Sequence, residues 1–186
     1  MSDGRYFFGL WPDEVVRERL AAVNRRMMSK GRPHHSVDLH MTLVFLGPVA
    51  DSQQRCIADA ADAIVGTPFT LHLDRTGYWP RPRILWAGPE KTPEPLSQLV
   101  FDLKNNLTTC GFEPERRKYK PHVTLHRKAI RSERYVITPA IEWRVEEFVL
   151  AVSGGGQKGT PRYRVLQRWP LVREDDSTPA APGFNQ

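Results

Sequence analysis

Two four-residue stretches of this chain repeat one pattern: His40-Met41-Thr42-Leu43 and His122-Val123-Thr124-Leu125. The chain's own composition leads one to expect about 0.03 chance matches to His-x-Thr-Leu, so two copies demand a reason. On a strand, alternate side chains share a face. His40 and Thr42 therefore project together, while Met41, Leu43 and Phe45 face the core; His122 and Thr124 repeat this over Val123 and Leu125. An imidazole both takes up and releases protons near neutral pH, so two that share a cleft form a general acid and a general base. Cleaving a phosphodiester uses both, one to deprotonate the attacking oxygen and one to protonate the departing oxygen. The threonine hydroxyls are suited to donate hydrogen bonds to the non-bridging oxygens, where charge develops.

The elements that position these residues follow from periodicity. Arg5 to Leu10 reads as a strand, and Pro12-Asp13 opens a helix with Val16, Leu20, Val23 and Met27 on one face. Leu39 to Leu46 is β-rich and ends at the turn Gly47-Pro48. Ser52 is expected to cap a second helix carrying Ile57, Ala60, Ala61 and Ile64. Phe69, Leu71 and Leu73 alternate with polar residues as in a half-buried strand, and Arg83 to Ala87 reads as another. A third helix carries Leu96, Leu99, Val100, Leu103 and Leu107 and stops at Gly111. Strands are expected at His122 to His126, Trp143 to Val152 and Tyr163 to Trp169, the last two joined by the Gly-rich stretch Ser153 to Pro161. The order strand, helix, strand that leads to His40 recurs before His122. This duplication predicts two similar lobes about an approximate two-fold axis, with one His-Thr pair in each.

Composition narrows the partners. Among 186 residues, 27 Lys and Arg outnumber 21 Asp and Glu, a net charge of +6, and 40% apolar content suits a folded rather than a disordered chain. The final stretch, residues 174–186, has three acids and little to bury, and is expected to be a disordered acidic tail. Between Glu113 and Arg134, eight bases oppose three acids, and Arg75, Arg81 and Arg83 are interleaved with Tyr78 and Trp79. Bases beside aromatics suit single-stranded nucleic acid, although a solvated face with core aromatics has the same composition. No run approaches the roughly 20 apolar residues of a membrane span, so no membrane partner is expected. The two cysteines lie outside any Cys-x-x-Cys pair, which argues against a disulfide scaffold or Cys-rich zinc module and for a reducing, cytoplasmic setting. His122 and His126 would lie about 13 Å apart on a strand, with no acid beside them, so neither a metal nor another cofactor is expected. The pair His34-His35 falls in a loop bounded by Gly and Pro and reads as surface, with contact to the substrate as the alternative.

Tandem His-x-Thr-x motifs mark the 2H phosphoesterase superfamily. The chain most resembles its bacterial and archaeal RNA 2′,3′-cyclic phosphodiesterases, also called 2′-5′ RNA ligases. The resemblance runs from about Arg5 to Leu171, through Arg5 to Pro12, His40 to Gly47, Pro121 to Arg127 and Tyr163 to Leu171. It implies an α+β, bilobal fold over residues 1–173, in which two antiparallel sheets form a central cleft with helices outside. It also implies metal-independent opening of RNA 2′,3′-cyclic phosphate ends to 2′-phosphomonoesters by a monomer; some relatives join or split 2′-5′ linkages in tRNA halves without ATP. By the same resemblance His40 is the proton donor to the leaving O3′ and His122 the acceptor that activates water. Thr42 and Thr124 bind the phosphate, and Arg127 stands where relatives often keep a basic residue. The near symmetry of the two motifs leaves the acid and base unassigned by sequence alone. Strand alternation turns His126 to the cleft and Arg127 away, so Arg127 reaches a phosphate only through a break in the strand. Two other functions fit the same residues: a related 2H enzyme acting on small cyclic nucleotides, and a non-catalytic RNA-end binding protein, for which a matched acid and base would be superfluous.

Overall fold

A computed structural model describes residues 4–27, 31–113, 115, 117–130, 134–154 and 161–172. The expected acidic tail and most of the Gly-rich connection lie outside them. The described strands are β1 (Tyr6–Leu10), β2 (Arg32–Pro33), β3 (Met41–Gly47), β4 (Phe69–Trp79), β5 (Ile84–Gly88), β6 (Val123–Arg127), β7 (Val136–Val145), β8 (Glu147–Ser153) and β9 (Tyr163–Pro170). They form one antiparallel path, β7-β4-β5-β6-β3-β1-β8-β9, with β2 added on β6. The path divides at its middle. Strands β3, β1, β8 and β9 make one half and β6, β5, β4 and β7 the other, and among the described residues the strand pairing between the halves is the single pair Met41–Val123. The two sheets expected from the sequence thus share one seam, and each half contributes its His-Thr strand to that seam.

Three helices cover the backs of the halves. Helix α1 (Glu14–Arg26) is capped by Asp13, whose carboxylate accepts the Val16 amide at 2.8 Å, and it buries Val16, Leu20 and Val23. It follows β1 in the chain yet packs on β6 and β7 of the other half. Helix α3 (Glu94–Thr108) makes the reciprocal crossing: it follows β5 and packs on β3. Its expected stripe, Leu96, Leu99, Val100, Leu103 and Leu107, is buried throughout. Each half is therefore backed by a helix that starts from the other, and one apolar core runs behind both. Burial of this kind contributes roughly 25 cal/mol per Å² of apolar surface, which holds the seam together where strand pairing is thin.

Three expectations are corrected. Helix α2 (Asp51–Asp62) is capped by Ala50, not Ser52; the Ala50 amide donates to the Gln53 side chain at 3.1 Å, and the Gln53 amide returns to the Ala50 carbonyl. The single strand expected over Trp143–Val152 is two, because at Glu146 the chain leaves one half for the other. Burial alternates through Ile141, Trp143 and Val145, then becomes continuous from Phe148 to Val152, where β8 lies between β1 and β9. Finally, Cys56 of α2 and Cys110 after α3 are joined in a disulfide. Two cysteines cannot make a scaffold, but they suffice for one link between neighbouring helices. Among the described residues no helix is long and apolar enough to cross a membrane.

Candidate active site

His40 and His122 each stand one residue before a central strand, β3 and β6. The two rings are held in the same way. His40 Nδ1 lies 2.7 Å from the Asp38 carbonyl and His122 Nδ1 lies 2.8 Å from the Lys120 carbonyl. A carbonyl oxygen only accepts, so each Nδ1 carries the proton and donates it. Each ring thereby keeps Nε2 as the basic atom, available for a reacting group. Asp38 is itself anchored, since its buried carboxylate accepts the Arg162 amide at 2.8 Å.

The motif leucines carry a second shared feature. In β3, Phe8 is paired with Val44 and the next residue, Gly9, with Thr42, so Leu43 is an extra residue. In β6, Leu85 is paired with His126 and Trp86 with Thr124, so Leu125 is extra. A bulge of this kind turns the residues beyond it to the opposite face. Leu43 and Leu125 stay buried, Thr42 and Thr124 are half-buried, and the phase then changes. Phe45, expected in the core, is 61% exposed and lines the cleft. His126, expected in the cleft, is buried near the Asn24 carbonyl. Arg127 turns into the cleft with His40 and Thr42. The break that Arg127 requires is present, and it occurs in both motifs.

Arg127 is also held from outside the motif. Its Nε donates to His34 Nε2 at 3.0 Å. His34 is fixed in turn, because β2 pairs with β6 at Arg127 and His126, and the His34 amide donates to the Leu125 carbonyl at 2.8 Å. Burial, followed by the Arg127 charge, pushes the His34 pKa down to about 3, so the ring remains a neutral acceptor. Read from sequence as surface, His34 is a support of the site, and its role became visible only with the pairing of β2. His35 is exposed.

The cleft has two joined parts that share Thr42 and Phe45. The part at His122, about 860 Å³, is bordered by Trp79, Lys118, Tyr119 and Lys120. The part at His40, about 420 Å³, is bordered by Phe7, Tyr163 and the cations Arg5, Arg127 and Arg162. The Tyr119 hydroxyl donates to the Thr42 carbonyl at 3.0 Å, tying the approach to β6 onto β3; burial pushes its phenol pKa up, so it stays a neutral donor. Around His40 the rings close in. Trp11 stacks at 5.2 Å and 7°, Phe7 lies at 4.8 Å, and Tyr163 presents its edge at 4.7 Å. His122 meets the Trp79 ring in an edge contact at 4.5 Å. Burial pushes the His40 pKa down to about 4, opposed by its bond to the Asp38 carbonyl and reinforced by the Arg127 and His122 charges. His122 is also lowered, by burial first and then Arg127, against its bond to the Lys120 carbonyl. Among the described residues no group of three or more His, Cys, Asp or Glu side chains is placed to hold a metal ion.

Similarity to known proteins agrees with this geometry. The family model described as the 2′-5′ RNA ligase superfamily matches residues 11–157, which includes both motifs. Over 174 residues the chain is 37% identical to an RNA 2′,3′-cyclic phosphodiesterase of Escherichia coli (strain K12), covering 91% of this chain and 97% of that protein. The crystal structure of E. coli LigT in apo form aligns with a TM-score of 0.81 at 31% identity, covering 93% of this chain and all of the other. The same protein complexed with 3′-AMP aligns with a TM-score of 0.80 at 33% identity, over 91% of this chain and 98% of that one. With most of its length matched in sequence and in fold, and the paired motifs at its seam, the chain belongs to the 2′-5′ RNA ligase superfamily.

Proposed function

We propose that this cleft hydrolyses 2′,3′-cyclic phosphate ends of RNA to 2′-phosphomonoesters, with His40 and His122 as general acid and base. The observation that carries this function is the matched pair of Nδ1–carbonyl hydrogen bonds, which presents two imidazole Nε2 atoms from opposite sides of one seam. A displacement at phosphorus has its attacking and leaving oxygens on opposite sides, and a pseudo-two-fold pair answers that geometry. His122 takes a proton from water as its oxygen bonds to phosphorus. The bond from phosphorus to O3′ breaks, and His40 supplies the proton that O3′ receives. Thr42 and Thr124, half-buried beside the two histidines, donate to the non-bridging oxygens. Arg127, held by His34, adds a cation there.

Burial, reinforced by the Arg127 charge, lowers the His40 pKa to about 4, so a proton donor at this position is helped by a substrate that raises it again. The phosphate anion does this, since it offsets Arg127 and gives the His40 Nε2–H an acceptor. Both histidines come from one chain, so a monomer is competent. The activity for which the E. coli relative is named, RNA 2′,3′-cyclic phosphodiesterase, supports RNA as the substrate. The test is an RNA oligomer ending in a 2′,3′-cyclic phosphate, incubated in excess EDTA with identification of the product. A 2′-phosphate is expected, a 3′-phosphate would reverse the leaving group, and no product would refute the function. If only cyclic mononucleotides react, the substrate is a small cyclic nucleotide. A weak salt dependence would accompany that result, since a small ligand releases few counterions.

A further inference from the structure

A groove of about 520 Å³ lies beside the His122 part of the cleft and shares Trp79, Lys118, Tyr119 and Lys120 with it. Its floor is Trp86 of β5, and the backbone is shaped around that ring. A Cβ on Gly77, the β4 residue paired with Trp86, would lie 2.2 Å from the indole. One on Gly88 would lie 2.6 Å from the Pro121 carbonyl and 3.2 Å from the same indole. Two glycines thus let a large ring lie against the strands, half-buried rather than in the core. Trp79 packs against Trp86 at 5.4 Å and reaches His122 with the same ring, so the aromatic surface continues to the candidate catalytic base. The border is cationic: Lys118, Lys120, Arg75 and Arg134 face one acid, Glu90. Two donors in this lining, Trp86 Nε1 and Arg75 Nε, have no hydrogen-bond partner among the described residues.

We propose that this groove binds the nucleotide or two preceding the cyclic-phosphate end of a single-stranded RNA. A base stacks on Trp86, and the backbone phosphates meet Lys118 and Arg134; the site rests on the reaction proposed above. Stacking on an aromatic platform bordered by cations suits a single strand, whose bases are free to leave one another. The reacting phosphate sits at the histidines, so the groove contributes to binding of an oligomer and nothing to a mononucleotide.

The test compares 2′,3′-cyclic AMP with an RNA hexamer ending in a 2′,3′-cyclic phosphate. Trp86→Ala should raise the hexamer KM about tenfold or more, and Trp86→Phe should recover most of that loss. Neither should change kcat/KM for cyclic AMP by more than about twofold. Because Trp86→Ala also removes packing, the exposed pair Lys118→Ala and Arg134→Ala provides an independent measure. Together these should reduce the slope of log affinity against log salt by about 1.4 for the hexamer, two phosphate contacts at about 0.7 each. An equal loss on both substrates, or no loss on the hexamer, would overturn the groove. Should the parent protein turn over neither substrate, the reaction fails, and the groove is still decided by anisotropy of a labelled hexamer ending in a 2′-phosphate. Weaker binding by Trp86→Ala and by the charge pair sustains it, and unchanged binding refutes it.

Discussion

The half that carries His40 and the half that carries His122 repeat the same local devices and differ in what surrounds them. Each motif places its ring against a carbonyl two residues back and bulges at its leucine. Beyond the bulge, however, one half offers Phe45 and the other Arg127. His40 is enclosed by Phe7, Trp11 and Tyr163, whereas His122 meets Trp79 and opens onto the larger part of the cleft. A duplicated scaffold thus supplies two equivalent imidazoles, and unequal neighbours make them inequivalent. Separate acid and base roles require that inequality, because proton affinity follows local burial and charge.

The largest test removes the pair. His40→Ala and His122→Ala should each lower kcat by about 10²–10⁴-fold, the usual contribution of a positioned acid or base, with the folded state intact by circular dichroism. Substantial turnover in either variant would break the equivalence of the two halves. Next comes Arg127, the cation that one half has and the other lacks. Arg127→Ala should cost about 10- to 100-fold in kcat/KM, as for hydrogen bonds to charged groups. His34→Ala should cost less, and Gln at position 34, which also accepts a hydrogen bond, should restore part. In an Arg127→Ala background His34→Ala should have no further effect; additive losses would show that His34 acts by another route.

The smallest effect is in the pH profile. The rate constant kcat/KM reports free-enzyme groups and kcat those of the complex. With His40 near 4 and His122 also lowered in the free cleft, the kcat/KM profile should be displaced to lower pH than ordinary imidazoles dictate. The kcat profile should lie at higher pH, because bound phosphate raises both groups. Trp11→Leu admits water beside His40, the proton donor, and should move the alkaline side of the kcat/KM profile up toward 6.5, while Trp79→Leu, beside the base His122, should move the acid side up. Coincident kcat and kcat/KM profiles would remove the phosphate as the source of the recharging. Stability follows the same sign. The unfolded chain binds protons at these histidines near pH 6.5 and the folded chain binds them only lower, so stability falls as pH drops from about 6.5 toward 4.

The paired motifs, the three helices and the repeat order were legible in the sequence because each is written within a few residues as an alternation, a 3.6-residue stripe or a glycine stop. His40, Thr42, His122 and Thr124 were found in this way. The faces of Phe45 and His126 were misread, since alternation continued through Leu43 and Leu125 puts Phe45 in the core and His126 in the cleft; for Arg127 the sequence showed that a break was needed but not that one was present. A bulge arises when a neighbouring strand pairs two residues against one, and β1 and β5 lie far from their partners in sequence. The part played by His34 was hidden for the same reason, as it needs β2 to dock on β6. The Cys56–Cys110 link needs α2 and α3 side by side.

The amino-acid order alone thus determined which groups are the candidates for the chemistry and that there are two of each, because residue type and short-range periodicity are local properties. Tertiary structure decided which atoms meet: that the strands join at Met41 and Val123, that Arg127 turns inward, and that His40 lies in an aromatic enclosure while His122 opens onto a groove. Those outcomes depend on pairing and burial between segments far apart in the chain, and proton affinity, unlike residue identity, is set by that environment.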